Sequence, residues 1–262
     1  MKIFEKLTYT NNTRRIISFI FYLVFALFVL TQAFKTDILL NRILYILLLV
    51  LILGMALFSE YLKLLYERTI KTLAFDLDPQ SAMQQYEHLN KLDKFKAYKN
   101  SKLIFDTLYF IDQMEYSRCL EHLEQNYKFF HASLDQLLIY HFTRFYCSFM
   151  TEDTETAKAE YQKLLRMKNA KSKGNKVSPL YNWEYLDALY QFARKEYKQS
   201  YNSFKTVNTA NMNPREKVQY FMQFARVSSK LNKKNTMDEN LCKIKEMNGK
   251  SKTCLEIERI IN

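Results

Sequence analysis

The chain contains little glycine and little proline, with only three residues of each among 262. Turn-rich β folds and glycine-rich phosphate-binding loops need more of both, which argues against these classes. Phenylalanine and tyrosine are instead abundant, with 20 and 19 residues, and side chains of this size fill the gaps between packed helices. The composition therefore predicts an all-α fold.

Sequence signatures of catalysis and of metal binding are also missing. The chain has no G-x-S-x-G, no H-E-x-x-H and no Walker-type loop. Cys119 and His122 are spaced like two metal ligands on a helix, but no second pair of ligands completes a site. We therefore predict that the protein is not an enzyme and that it holds no metal and no cofactor.

Two apolar segments stand near the N-terminus. Residues 16–34 contain no charged side chain and would form a helix of about 28 Å, close to the hydrocarbon thickness of a bilayer. Residues 39–58 carry one charge, Arg42, which we expect to extend toward the lipid headgroups. Since a short turn separates the segments, the sequence predicts a transmembrane hairpin over residues 16–58. We expect the second segment to continue through residues 61–74 as one helix.

Lysine and arginine surround these segments unequally. The basic residues are Lys2, Lys6, Arg14 and Arg15 before the first span, Lys35 and Arg42 around the turn, and Lys63, Arg68 and Lys71 after the second span. The positive-inside rule therefore predicts a multi-pass cell-membrane protein with residues 1–15 and 59–262 in the cytoplasm, where cysteines stay reduced. A cleaved signal peptide followed by one span is an alternative. Neither span has an ionisable residue in its middle, which favours an anchor over a transport path.

Helix boundaries can be read from the prolines and from a few capping residues. Every proline follows a residue type that caps helices: Asp78-Pro79, Ser178-Pro179 and Asn213-Pro214. These pairs predict helix starts, because the capping side chain accepts from free N–H groups and proline is pre-shaped for the first turn. Asn213 with Glu216 and Thr253 with Glu256 resemble capping boxes, and Gly249 predicts a helix end.

One sequence pattern recurs through the rest of the chain. It is a small residue, a large apolar residue four positions later, and usually another three beyond. The copies are Ala82-Tyr86-Leu89, Cys119-Leu123-Asn126, Ala157-Tyr161-Leu164, Ser200-Phe204-Val207 and, more loosely, Met237-Leu241-Ile244. Their starts are 37, 38, 43 and 37 residues apart. Positions with this spacing share one helix face, which predicts a repeated helix that packs closely against a neighbour.

The preceding helices carry a second repeated pattern, because Ile139-Phe142-Tyr146 has the spacing of Trp183-Leu186-Tyr190. Together the two patterns resemble the tetratricopeptide-repeat family over residues 60–248. The resemblance implies an α-solenoid of helix pairs behind the transmembrane hairpin. Asp187 in place of glycine, Asn126 at an apolar position and repeats longer than 34 residues depart from the family pattern. An unrelated α-solenoid and an irregular helical bundle remain as alternatives.

The resemblance also implies a binding surface. In the family, first helices line a concave groove that binds proteins or peptides, and its ligand-facing positions correspond here to Tyr140, Arg144, Glu184 and Ala188. Tyrosine and arginine on an exposed face are common binding hot spots. We therefore expect a protein or peptide partner at these residues and no small-molecule substrate.

A basic stretch with no acidic residue lies in a predicted loop and comprises Arg166, Lys168, Lys171, Lys173 and Lys176. One interpretation is a solvated connector, and another is contact with anionic lipid headgroups. Nucleic-acid binding would favour interleaved aromatic residues, and none lies between Arg166 and Lys176.

The first functional hypothesis is thus a membrane-anchored scaffold or adaptor that confines a partner to the membrane. An alternative is an accessory or regulatory subunit of a membrane transport, export or immunity complex, docked through the hairpin. A further alternative is a membrane-tethered nucleic-acid binder, motivated by the 33 basic and 25 acidic residues of segment 60–262. The Lys-, Asn-, Ile- and Tyr-rich composition is typical of an AT-rich bacterial genome.

Overall fold

The computed structural model of the chain describes residues 2–168, 171–172, 175–176, 183–257 and 259. In this part of the chain, thirteen helices are accompanied by one pair of two-residue antiparallel strands, β1 (Lys171–Ser172) and β2 (Asn175–Lys176). The all-α prediction is confirmed. The chain forms two compact units, Met1–Glu67 and Arg68–Asn262.

The first unit is built from two long helices, α1 (Lys2–Lys35) and the larger part of α2 (Leu39–Ala74). The predicted continuation of the second apolar segment as one helix is confirmed. Among the described residues, α2 is the one helix long and apolar enough to cross a membrane, with a mean hydropathy of 2.5 over 18 residues. The apolar part of α1, Phe19–Lys35, is shorter. Arg42 donates to the carbonyl of Ala33 at 3.3 Å and so satisfies a backbone group near the end of α1.

The second unit contains the remaining helices. They are α3 (Pro79–Leu92), α4 (Lys99–Asp112), α5 (Tyr116–Gln125), α6 (Tyr127–Phe130), α7 (Leu134–Met150), α8 (Thr154–Met167), α9 (Trp183–Ala193), α10 (Tyr197–Thr206), α11 (Pro214–Lys230), α12 (Lys234–Glu246) and α13 (Lys252–Leu255). Four neighbouring pairs recur within the described residues: α4–α5, α7–α8, α9–α10 and α11–α12.

These four pairs are joined by the same turn. Each turn has three residues, and the middle one has a positive φ between 56° and 62°: Met114, Glu152, Lys195 and Asn232. The next residue donates its N–H to the carbonyl five positions earlier, as Asp153 does to Ser148 at 2.9 Å. A left-handed conformation costs a residue with a Cβ roughly 1–2 kcal/mol. Its recurrence therefore indicates that the packing of each pair imposes the turn.

The spacing of the sequence repeat is visible in the backbone. Positive-φ residues at 77, 114, 152, 195 and 232 each stand five positions before the first residue of a repeat copy. Ser200 Oγ donates to the carbonyl of Ala188 at 2.8 Å, and Cys119 Sγ to that of Thr107 at 3.7 Å. Both acceptors lie 12 positions earlier, on the first helix of the same pair. The small residue thus brings the second helix against the backbone of the first.

The fourth pair folds back onto the first two, because α11 packs against α4 and α7. Arg215 on α11 donates through Nε to Asp112 Oδ2 at 2.6 Å, and both side chains are buried. Gln219 donates to the other oxygen of Asp112 at 3.4 Å, and Gln223 donates to the hydroxyl of Tyr146 on α7 at 3.2 Å. The first helices of these pairs therefore contact one another and do not line an open groove.

The segment after α12 packs against Leu77 and Asp78, the two residues that precede α3. Lys250 donates its backbone N–H to the carbonyl of Leu77 at 2.9 Å, and its ammonium lies 2.9 Å from Asp78 Oδ2. Leu77 also shares an apolar cluster with Met222 of α11 and Ile257. Gly249 makes this approach possible, because an added Cβ would lie 2.8 Å from that of Leu77.

Two of the predicted helix starts are confirmed. Asp78 Oδ1 accepts from the N–H of Ser81 at 3.0 Å at the start of α3. Asn213 and Glu216 form the predicted capping box at the start of α11, with bonds of 3.0 and 2.9 Å. The predicted start at Ser178 lies outside the described residues.

The predictions near the C-terminus are wrong by a few residues. α12 ends at Glu246, before Gly249. Ser251 caps α13 by accepting from the N–H of Cys254, and Thr253 does not. Thr253 is buried, four positions before the buried Ile257, so its side chain faces the core.

Candidate partner-binding site

The predicted site residue Tyr140 is not exposed. It lies on α7, and only 5% of its surface is accessible. The segment around α6 covers it, with ring centroids 4.6 Å away at His131 and 6.3 Å away at Phe130. Its hydroxyl donates to Glu124 Oε1 at 2.9 Å. The expectation of an exposed tyrosine is wrong because Phe130 of α6 and His131 pack against its ring and Glu124 of α5 binds its hydroxyl.

Of the other predicted positions, Arg144 contacts Tyr140 by donating from Nη1 to its hydroxyl at 3.3 Å, and Glu184 and Ala188 do not join them in one surface. Arg144, one turn further along α7, is partly buried and forms an ion pair with Glu124. Glu184 on α9 is exposed. Ala188 is completely buried, because Ser200 of α10 packs against its carbonyl. Ala188 was expected to face a ligand, and this expectation is wrong.

The charge of Arg144 is used inside the fold, at the buried carboxylate of Glu160 on α8. Arg144 Nε lies 3.2 Å from Oε1 of Glu160, Lys163 Nζ lies 2.9 Å from the same oxygen, and His141 Nδ1 lies 2.6 Å from Oε2. Burial raises the pKa of Glu160, but the hydrogen bonds and charges of His141 and Lys163 outweigh it and lower the pKa to about 2. The cluster therefore joins α7 to α8 as a satisfied ionic network.

We expect Glu160→Gln to make the free energy of unfolding depend less steeply on pH in the acidic range. The folded pKa of Glu160, about 2, lies below its ordinary value of 4.5. The stabilisation is therefore complete above about pH 4.5 and is lost as the pH falls toward about 2. Urea unfolding of the full-length protein in mild detergent, followed by Trp183 fluorescence at several pH values, measures this. Glu155→Gln, at an exposed position of α8, should keep the wild-type dependence of the free energy of unfolding on pH. The same unchanged dependence in Glu160→Gln would show that the Glu160 carboxylate does not stabilise the fold.

The predicted basic stretch divides between described and undescribed residues. Arg166 and Lys168 are exposed, and Lys168 Nζ lies 5.2 Å from the ring centroid of Trp183. Lys171 and Lys176 pair with each other through the backbone of β1 and β2. Lys173 lies outside the described residues. Contact of this stretch with lipid remains a prediction.

A cleft that the sequence did not reveal lies where α7, α9 and α11 end. Its volume is about 490 Å³, and it includes the left-handed turn residues Glu152 and Lys195. The lining residues are Ser148, Phe149, Glu152, Thr154, Phe192, Ala193, Lys195, Tyr197, Arg226 and Lys230. Three of these are basic and one is acidic, so the cleft has a net positive charge.

Arg226 occupies an unusual position in the cleft. Its guanidinium carbon lies 5.4 Å from the ring centroid of Phe149 and 5.3 Å from that of Phe192. Nη1 donates to Gln223 Oε1 at 2.9 Å and to Met150 Sδ at 3.2 Å. Within the described part of the chain, Arg226 forms no ion pair, and its Nε and Nη2 donate to no acceptor. Burial lowers the pKa of Arg226, against smaller opposing effects of Tyr146, Tyr116 and the Glu152 carboxylate. The side chain is thus a positioned, partly desolvated cation with donors left over for a ligand.

One signal in the sequence could have located this cleft. Phe149 and Phe192 both stand three residues before a left-handed turn residue, so they are equivalent positions of the repeat. Arg226 stands six residues before Asn232, where the other three pairs have Leu108, Tyr146 and Leu189. A cation at a position that is otherwise apolar marks a departure from the repeat. Recognising this departure requires an alignment of the four helix pairs on their left-handed turn residues. The side-chain pattern of the sequence does not locate these turn residues.

Comparison of the chain with protein-family models, with curated proteins and with solved structures finds no match. Within the described residues, no group of three or more His, Cys, Asp and Glu side chains is arranged to hold a metal ion.

Proposed function

We propose that this chain is a membrane-anchored scaffold whose helical-repeat unit binds an acidic segment of a partner protein in the cleft around Arg226. The observation that carries the proposal is a guanidinium fixed between two phenylalanine rings, which forms no ion pair with the described residues although Glu152 lines the same cleft. A carboxylate is the group that an arginine with free Nε and Nη2 donors binds best, because two parallel hydrogen bonds form at once.

The surroundings of Arg226 favour a peptide over a free ion. Exposed Lys195 and Lys230 extend the positive charge beyond the guanidinium, so more than one acidic side chain can be bound. Phe149, Phe192 and Tyr197 add apolar surface beside the charge. Arginine and aromatic side chains in a concave site are the usual hot spots of protein interfaces.

The repeat architecture is proposed to be a divergent tetratricopeptide-like array. Its support is the recurrence of one helix pair, one turn and one small-residue contact at the spacing of the sequence repeat. The closure of α11 onto α4 and α7 distinguishes it from an open array and moves the binding site from the groove to the ends of the helices.

Membrane anchoring is proposed to use the hairpin of residues 16–34 and 39–58, with residues 59–262 in the cytoplasm. Support comes from the apolarity of α2, from the exposed apolar side chains along α1 and α2, and from the basic residues that flank them. Confining a binding unit to a surface raises the effective concentration of its partner without any new contact. A protein without a reaction of its own can act in this way.

Affinity purification of the full-length protein from native membranes in mild detergent tests the proposal. We expect a partner protein in stoichiometric amount, and we expect Lys195→Glu combined with Lys230→Glu to reduce its yield roughly tenfold or more. Arg226→Gln should act in the same direction. The matched control is Lys158→Glu combined with Lys205→Glu, two exposed lysines outside the cleft, which should retain the partner.

Two outcomes would contradict this function. Equal loss in the cleft variant and in its control would show a nonspecific charge effect. A partner that stays bound to both variants but disappears when residues 1–59 are replaced by an unrelated anchor would instead indicate an accessory subunit docked through its membrane segments.

A further inference from the structure

The loop between α3 and α4 presents an apolar side chain to solvent. Phe95 is 82% exposed, which is the largest value among the big apolar side chains of the described residues. Folding normally leaves such a side chain at least partly covered, whereas the described residues cover less than a fifth of the Phe95 surface. The second unit therefore displays one aromatic ring at the tip of a turn.

The side chains around Phe95 are almost all basic. Lys94 and Lys96 flank it directly, and Lys91 and Lys99 stand at the two ends of the loop. All four are exposed and form no ion pair with the described residues. The one acid of the loop, Asp93, is buried and faces inward. Phe95 is thus surrounded by uncompensated positive charge.

The loop is held in a defined conformation, so the exposure of Phe95 is not an effect of a loose chain. The two carboxylate oxygens of Asp93 accept from the N–H groups of Ala97 at 3.0 Å and Tyr98 at 2.8 Å. Lys96 adopts a left-handed φ of 55° and donates its N–H to the carbonyl of Asp93 at 3.1 Å. Tyr86 donates its hydroxyl to the carbonyl of Tyr98 at 2.9 Å, which ties the loop to α3. These hydrogen bonds hold the Phe95 ring in its exposed position without a bound ligand.

We propose that the loop of residues 91–99 is a lipid-contacting element, in which Phe95 enters the interfacial layer of an anionic membrane and the four lysines bind its headgroups. An aromatic ring flanked by lysines matches the boundary between acyl chains and headgroups, where aromatic side chains and lysine are both favoured. Anionic headgroups supply the countercharge that the fold does not provide. The basic stretch of residues 166–176 has no aromatic residue and lacks this combination.

The proposal rests on the membrane anchoring proposed above, and it adds a second contact between the protein and the bilayer. A second contact restricts which side of the repeat unit can face the bilayer.

Depth-dependent fluorescence quenching tests the contact directly. Phe95→Trp is introduced into the full-length chain that also carries Trp183→Phe, and the protein is reconstituted in vesicles of phosphatidylcholine and phosphatidylglycerol with brominated acyl chains. We expect the indole at position 95 to be quenched roughly threefold more than one introduced by Leu255→Trp, a control position that is 72% exposed. Lys94→Glu combined with Lys96→Glu should remove most of the difference.

Quenching at position 95 that does not exceed the Leu255→Trp control would overturn the proposal. If Trp183→Phe does not fold, Trp183 is retained and the difference in quenching between Phe95→Trp and wild type gives the same answer. Carbonate extraction of the same vesicles measures anchoring separately. A protein that resists extraction but shows no quenching refutes the loop contact alone. A protein that is extracted refutes the anchor, and its quenching on mixing with anionic vesicles still decides the loop.

Discussion

Asp112→Ala is expected to lower the free energy of unfolding of the second unit by about 3–5 kcal/mol, because it leaves the guanidinium of Arg215 buried without its countercharge. The two side chains are 4% and 6% exposed and their charged atoms lie 2.6 Å apart. Gln219 also loses its acceptor. The pair joins α4 to α11, so its loss weakens the contact that closes the unit. Urea unfolding of the full-length protein in mild detergent, followed by Trp183 fluorescence, measures the change.

Two comparisons make this prediction specific. Lys102→Ala removes an ion pair with Asp106 that is partly exposed and lies within one helix, and it should cost less than about 1 kcal/mol. Replacing both partners, as Asp112→Leu with Arg215→Met, should cost less than Asp112→Ala, since no unpaired charge remains. If the single and double variants are equally destabilised, the effect lies in packing and not in the buried charge.

Phe204→Ala is expected to destabilise the unit by about 3–5 kcal/mol through a cavity in its core. Phe204 is fully buried and its ring lies within 5.5–6.0 Å of the rings of Tyr185, Tyr220 and Phe224. These neighbours lie on α9 and α11, so they belong to two different helix pairs. One side chain at the large position of the repeat therefore joins adjacent pairs.

Phe95→Ala is the matched control for Phe204→Ala, because it removes the same ring from an exposed position. Its effect on the free energy of unfolding should stay within about 0.5 kcal/mol. If Phe95→Ala leaves the free energy of unfolding unchanged, a loss of membrane contact in this variant does not come from unfolding. A small effect of Phe204→Ala would show that the neighbouring rings collapse into the space and that the repeat position tolerates truncation.

Closure of the second unit determines which residues lie together at the proposed cleft. Of the four positions that would face a ligand in an open array, Tyr140 and Ala188 are buried, Arg144 is engaged in ion pairs and Glu184 stays exposed. The same closure brings Arg226 of α11 between Phe149 of α7 and Phe192 of α9. The proposed cleft therefore exists only when the array is closed.

The candidate site could be predicted only in part. Arg144 was predicted to face a partner protein, and the structure pairs it with carboxylates of α5 and α8. Whether a surface arginine is free depends on which acids the fold brings to it, and the spacing within α7 contains no such information. Arg226 was missed for the converse reason, because the fold brings no carboxylate of the described residues within ion-pair distance of it, and Glu152 of the same cleft acts on it only from further away.

The sequence by itself determined the helical class, the continuous helix from Leu39 to Ala74, the capped starts of α3 and α11, and the spacing of the repeat. These features depend on contacts between residues close in the chain, such as the capping box of Asn213 and Glu216. Only the tertiary structure decided that the unit closes, that Tyr140 and Ala188 are buried, and that Arg226 forms no ion pair with the described residues. Closure depends on Arg215 meeting Asp112 across 103 residues, and a periodic pattern does not specify which distant partner a buried charge will choose.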